Sequence, residues 1–145
     1  LQEPTKKMSK SDENPNASVY MSDDRDAIVR KFRRAVTDSD SAVRFDPENK
    51  PGVSNLLTVY SAFAGKSVEE AEREFDGKGY GDFKAAVGEV VADALSPIQS
   101  EQKRILADKG YLEGVLAAGA ERAYRAARRT LSNVYRKVGF YRPEK

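Results

Sequence analysis

Apolar residues recur at helical spacing in several stretches of this chain, separated by polar breaks rich in Gly, Pro, Asp and Ser. Ile28, Val29, Phe32, Ala35 and Val36 fall three and four residues apart, which predicts a first helix over about 23–36. Ser22 is its expected N-cap, with Asp23 and Asp24 in the first turn, where negative charge is favourable. Over 37–52 the pattern gives way to turn residues, with 43–45 at most a short extended piece. Pro51 suits the opening of a second helix, with Leu56, Leu57, Tyr60, Phe63 and Ala64 as its buried face and Gly65 as its stop. Ser67 and Glu70 make a capping box for a short helix ending near Phe75. Phe83, Val87, Val90, Val91, Ala94, Leu95 and Ile98 mark a long fourth helix, which Pro97 is expected to bend. A last helix carries Leu112, Val115, Leu116, Ala120, Ala123, Ala127, Leu131, Val134 and Val138 and ends at Gly139. Nothing in the pattern supports a sheet, so the expected fold class is all-α, a helical bundle of about five helices.

Composition narrows the chemistry. With 145 residues, 39% of them hydrophobic, the chain suits one globular domain, and no run reaches the length of a membrane span. Cys and His are both absent, which removes disulfides, zinc fingers, thiol nucleophiles and the usual histidine base. A chain without cysteine suits a reducing, cytoplasmic setting. The carboxylates of Asp38, Asp40 and Asp46 do not follow a calcium-loop order, and no metal ligand is assigned. Gly77, Gly79 and Gly81 lack the Lys and Ser or Thr of a phosphate loop and read as a connection between helices.

Charge is uneven although its sum is only +2. Residues 110–145 hold eight Lys or Arg against three Asp or Glu, while 67–76 hold five acidic residues against Arg73. Such asymmetry can orient an anionic partner. On the last helix, Arg122, Arg125 and Arg129 share one face and are candidates for RNA phosphate contact. Tyr124 or Tyr135 is a candidate base-stacking ring. Arg30, Lys31, Arg33 and Arg34 form a second basic group, facing RNA, another domain or solvent.

The densest chemical signal is Lys7-Met8-Ser9-Lys10-Ser11. Two ammonium groups can offset charge that develops as a phosphoryl bond breaks, and two hydroxyls can add hydrogen bonds. Short Lys and Ser clusters also occur in ordinary solvated loops, so composition alone leaves both readings open. The order of residues resembles the second signature sequence of class I aminoacyl-tRNA synthetases. Thr5 to Asp12, then Ala35-Val36-Thr37-Asp38-Ser39, Lys50-Pro51-Gly52-Val53-Ser54-Asn55-Leu56-Leu57 and Gly77-Lys78-Gly79-Tyr80-Gly81 are similar, in order and spacing, to bacterial tryptophanyl-tRNA synthetases. The likeness covers about residues 3–119 and weakens into the last helix.

That resemblance implies a two-part enzyme. A Rossmann-type domain would activate L-tryptophan with ATP, with Mg2+ in the parent enzyme, and charge tRNA(Trp). Lys7 and Lys10 would be catalytic, stabilising the pyrophosphate leaving group. Together with Met8, Ser9 and Ser11 they would form the nucleotide-binding loop, the hydroxyls hydrogen bonding and Met8 packing the loop. Residues 1–21 would be that loop and its linker, and 22–145 a helical anticodon-binding domain of a homodimeric enzyme. The chain opens on Leu1 rather than Met and lacks the family's His-containing signature, so a piece of a longer polypeptide, inactive by itself, is expected. A tyrosyl-tRNA synthetase, a non-catalytic RNA-binding helical module and an interaction domain are the alternatives. Gly52, Ser54 and Asn55 are expected to start a helix or to brace the signature loop from behind.

Overall fold

A computed structural model describes residues 1–7 and 12–141. Five helices follow in order: α1 (Arg25–Arg33), α2 (Pro51–Ala64), α3 (Val68–Glu74), α4 (Tyr80–Ala107) and α5 (Lys109–Val138). No strand occurs among the described residues, and the class is all-α. Two compact units divide the chain, residues 1–100 and 101–145, with the boundary inside α4.

In the first unit, α1, α2, α3 and α4 line a single core. Ile28 and Phe32 of α1 share it with Val53, Leu56, Leu57 and Tyr60 of α2, Ala71 of α3, and Phe83, Val87, Val91 and Ala92 of α4. Three rings run through its centre: Tyr60 meets Phe75 edge-on at 5.0 Å, and Phe75 meets Phe83 at 4.9 Å. Such edge contacts add to the area each ring buries. Glycine permits the closest approaches. A Cβ at Gly52 would stand 2.2 Å from the Val36 carbonyl oxygen, and one at Gly88 would stand 2.8 Å from Val29 Cα. The first seats the start of α2 on the chain leaving α1; the second brings α4 against α1.

Several helix ends follow the sequence signals. Pro51 opens α2, and Gly65 closes it in the left-handed region at φ 67°. Ser67 accepts from the Glu70 amide while Glu70 accepts from the Ser67 amide, a complete capping box on α3. α4 continues through Pro97, and Gly139 closes α5.

Other positions differ. α1 is shorter than 23–36, and its N-cap is Asp24 rather than Ser22. Asp24 is extended and accepts from the Ala27 amide at 2.7 Å. Its neighbour Asp23 instead accepts from the Tyr20 amide and from Lys31 Nζ, so helix geometry begins one residue later. Val36 is not on a buried stripe: its amide leaves the helix and donates to Leu1 O at 3.1 Å, and its side chain is exposed. Phe63 is also exposed, because it borders a cavity of about 280 Å3 rather than the core. In the second unit, no residue of α5 is buried, and its apolar positions Val115, Leu116, Leu131, Val134 and Val138 are exposed.

Replacing Gly52 with Ala is expected to lower stability by about 1–3 kcal/mol, the usual cost of forced overpacking. Urea unfolding followed by circular dichroism reads it. Gly65→Ala, with open space at its Cβ, carries only the backbone cost of a left-handed residue.

Candidate functional site

The residues that flank the Lys7–Ser11 run are tied to the helical core. The Leu1 nitrogen donates to Ala17 O at 2.9 Å, closing the two ends of the segment on each other. Gln2 Nε2 donates to Arg34 O at 3.0 Å, and Val36 N donates to Leu1 O. On the outgoing side, the Asn14 amide donates to Asp12, the Asn16 amide to Asn14, and the Ala17 amide to Asn14 O. Further along, buried Lys31 donates to Ser18 O at 2.9 Å and to Asp23 Oδ2 at 2.6 Å. Its ammonium also lies 4.6 Å from the centre of the Tyr20 ring. Lys31 is therefore a clamp on the linker and is not available to RNA, unlike exposed Arg30, Arg33 and Arg34. Lys7 is exposed; Met8, Ser9, Lys10 and Ser11 lie outside the described residues.

Behind these flanks is a cluster that sequence reasoning did not identify. Lys50 is the N-cap of α2, a position where a cation is disfavoured by the helix dipole and offers no side-chain acceptor. Its side chain turns inward instead and is 3% exposed. Lys50 Nζ lies 2.8 Å from Asp40 Oδ2 and 3.1 Å from Asp38 Oδ1. The same ammonium reaches Asp40 O, Ala42 O and Tyr80 Oη within 3.0–3.2 Å. Tyr80 Oη in turn lies 2.7 Å from Asp38 Oδ1, to which it donates. A buried ammonium is tolerated only with this density of acceptors.

The ionisation of the cluster follows from these contacts. Burial disfavours the Lys50 charge, but hydrogen bonds with Asp40, Tyr80 and Asp38 more than offset it, and its pKa rises above the usual lysine value. Burial likewise pushes the Asp38 carboxyl up, and the bonds from Tyr80 and Lys50 outweigh it, leaving the group below the ordinary carboxylate range. Asp40 is lowered by Lys50 and by the Ala42 amide. The only sequence hint was a lysine placed just before a helix-opening proline, with two aspartates upstream. These carboxylates serve Lys50, while Asp46 accepts from Asn49. Ser54 Oγ accepts from the Asp46 amide at 2.8 Å, so Ser54 braces the connection from α1.

Arg122, Arg125 and Arg129 are all exposed on α5. Arg125 pairs with Glu121 at 3.2 Å, one turn away. Arg125 and Arg129 border a shallow depression with Tyr124 and Arg128; Arg122 lies outside it. Tyr124 is exposed, with Arg128 5.8 Å from its ring centre, whereas Tyr135 is half-buried and meets the Phe140 ring at 5.7 Å. The acidic stretch is largely engaged locally: Glu70 caps α3, Glu72 accepts from the Phe45 amide, and Glu74 binds Lys66 and Tyr60.

Comparison with known proteins bears on this arrangement. The family described as tRNA synthetases class I (W and Y) matches residues 1–96. The chain belongs to this family. Among individual class I members it is 49% identical to the tryptophan–tRNA ligase of Bacillus anthracis over 142 residues, covering 98% of this chain and 43% of that protein. It is 48% identical to the corresponding ligase of Wolinella succinogenes over 139 residues, with coverage of 96% and 42%. A crystal structure of tryptophanyl-tRNA synthetase from Mycoplasma pneumoniae superposes with a TM-score of 0.71 at 35% identity, covering 97% of this chain and 43% of that one. The similarity thus extends beyond residue 119, through the last helix, and the chain spans less than half the length of these relatives. Three of the four segments that resemble the class I synthetases meet at one point: Asp38, Lys50 and Tyr80 come from them in turn.

Lys50→Met is expected to lower Tm by about 5 °C or more, since it leaves two carboxylates facing each other without their cation. Asp38 and Asp40 have folded pKa values below their unfolded ones. Their stabilisation is therefore complete above about pH 4 and is lost as pH falls through the lowered values. Thermal melts across an acid series test this. Asp38→Asn should flatten the acid slope.

Proposed function

We propose that this chain is the helical part of a tryptophan–tRNA ligase, carrying the signature loop at 1–21 and a tRNA-binding helical domain at 22–145. The observation that carries this reading is similarity to tryptophan–tRNA ligases along nearly the whole chain, joined to a loop sequence suited to pyrophosphate. In this reading L-tryptophan and ATP react in the remaining part of the enzyme to give the aminoacyl-adenylate and pyrophosphate. Lys7 and Lys10 offset the charge that builds on the departing pyrophosphate, and Ser9 and Ser11 hydrogen bond its oxygens. Met8 packs the loop. The hydrogen bond between Leu1 and Ala17 brings the two flanks of this segment together beside the helices.

Mg2+ belongs in this account with the nucleotide. The loop offers ammonium and hydroxyl groups, which are not a hard-cation donor set. Among the described residues no group of three carboxylates is placed to hold a metal. The chain's own contribution is therefore charge and position. Without an amino-acid pocket, phosphate-binding lysines supply no alignment of reactants, and the chain alone is inactive. α5 supplies Arg122, Arg125 and Arg129 to tRNA(Trp), whose anticodon side meets the helical domain across a homodimer. No helix among the described residues is long and apolar enough to cross a membrane; the enzyme works in the cytoplasm.

A chimera tests the reading, with this chain replacing the matching 142 residues of the Bacillus anthracis ligase. It is expected to support tryptophan-dependent ATP–pyrophosphate exchange and to charge tRNA(Trp) in preference to tRNA(Tyr). Lys10→Ala or Lys7→Ala should each slow exchange by about a hundredfold, and this chain alone should give none. Exchange indifferent to both lysines would remove their assigned role. Preference for tRNA(Tyr) would move the chain to the tyrosine branch of the family.

A further inference from the structure

The apolar cavity of about 280 Å3 that Phe63 borders lies in the first unit, where the segments 1–6 and 19–21 meet α1, α2 and α4. Its inner wall is Phe32 of α1, Val59 of α2, and Val91 and Leu95 of α4. Phe32 and Val91 belong to the core, and Val59 and Leu95 pack against it, so the wall is in place before any ligand arrives. On the open side, Met21 and Phe63 remain 44% and 45% exposed, and a ligand seated between them would complete their burial.

The polar groups here differ in how far they are committed. Glu3 and Lys6 pair with each other on side chains more than half exposed, so the solvent side carries no net charge. The Tyr20 ring lies 4.6 Å from the Lys31 ammonium. Asn55 is different. It is half-buried in the cavity wall, and among the described residues its side-chain amide forms no hydrogen bond. Both its donor and its acceptor are free for a ligand.

Size and lining decide the ligand class. A dry apolar cavity of about 150 Å3 already takes a benzene-sized molecule, so this one has room for roughly two fused rings. The Phe32 and Phe63 rings favour an aromatic occupant through edge and offset contacts. A charged group would lose its hydration against Val59, Val91 and Leu95 without an opposite charge to meet it.

We propose that this cavity binds a compact, uncharged aromatic molecule of one or two rings, whose single hydrogen-bonding group meets the Asn55 amide. The site is independent of the ligase reading. It touches both flanks of the Lys7–Ser11 run, Leu1 and Pro4 on one side and Val19 and Met21 on the other. A bound ligand therefore ties both flanks to α2 and α4. Leu1 O accepts from the Val36 amide, and that amide gains protection from hydrogen exchange when the ligand is bound.

The probe is 2-naphthol, with naphthalene and 2-naphthoate for comparison, each measured by equilibrium dialysis against this chain. The expected result is one 2-naphthol per chain, with 2-naphthoate about tenfold weaker or more. Asn55→Ala should weaken 2-naphthol about fivefold, the share of one hydrogen bond, and leave naphthalene unchanged. Val59→Phe and Leu95→Phe fill the cavity from opposite helices, and each should abolish binding of both while the variant still melts cooperatively. The chimera described above, with L-tryptophan saturating its amino-acid pocket, should bind 2-naphthol as this chain does. Absence of binding, or binding that survives both filling variants, would overturn the proposal. So would equal losses of 2-naphthol and naphthalene in Asn55→Ala. Binding present in this chain and lost in the chimera would overturn it as well, because the rest of the ligase would then cover the cavity; the ligase reading would stand.

Discussion

The fold around the candidate site depends on one buried cation. Lys50 sits where a helix begins, which is an electrostatically poor place for an ammonium, and where water does not reach it. Its charge persists because oxygen atoms of Asp38, Asp40, Ala42 and Tyr80 surround it. Those atoms come from the α1–α2 connection and from the first residue of α4. One ammonium thus joins three stretches of chain by polar contacts, beside a core that Val43, Val53 and Tyr80 also reach.

This junction extends to the flanks of the Lys7–Ser11 segment. The 36–38 stretch that bears Asp38 also carries Val36, whose amide holds Leu1 and whose carbonyl rests on Gly52. Leu1 in turn closes on Ala17, so these flanks inherit their position from the Lys50 cluster through a short series of hydrogen bonds. Lys31 does the same for the outgoing linker through Ser18 and Asp23. Two lysines that look like ordinary surface charge in the sequence are structural. Lys7, by contrast, is exposed.

Helix periodicity made most of the fold legible, because 3.6-residue spacing and end signals such as Pro51, Gly65 and the Ser67–Glu70 box act locally. The start of α1 was misplaced because three adjacent residues, Ser22, Asp23 and Asp24, can all cap a helix. Which one does so was decided by Lys31, eight residues beyond Asp23. The burial of Phe63 and Val36 was overestimated for a related reason: periodicity gives a face, whereas burial depends on what the rest of the chain places there. On the functional side, the Lys7–Ser11 run stands out in the sequence as an ordered set of residues, and its residues 8–11 lie outside the described ones. The Asp38–Lys50–Tyr80 cluster does not stand out, since its members are 12 and 30 residues from Lys50 and none has an unusual neighbour sequence.

The central claim is that Lys50 holds these flanks through the 36–38 stretch. Amide hydrogen exchange in wild type and Lys50→Met tests it most directly. The account predicts that the Val36, Ala42 and Ser54 amides lose protection in the variant while those of Ile28, Leu57 and Val87 in the core keep theirs. Unchanged protection at Val36 with a folded core would contradict it, and would place the flanks under the control of the core alone.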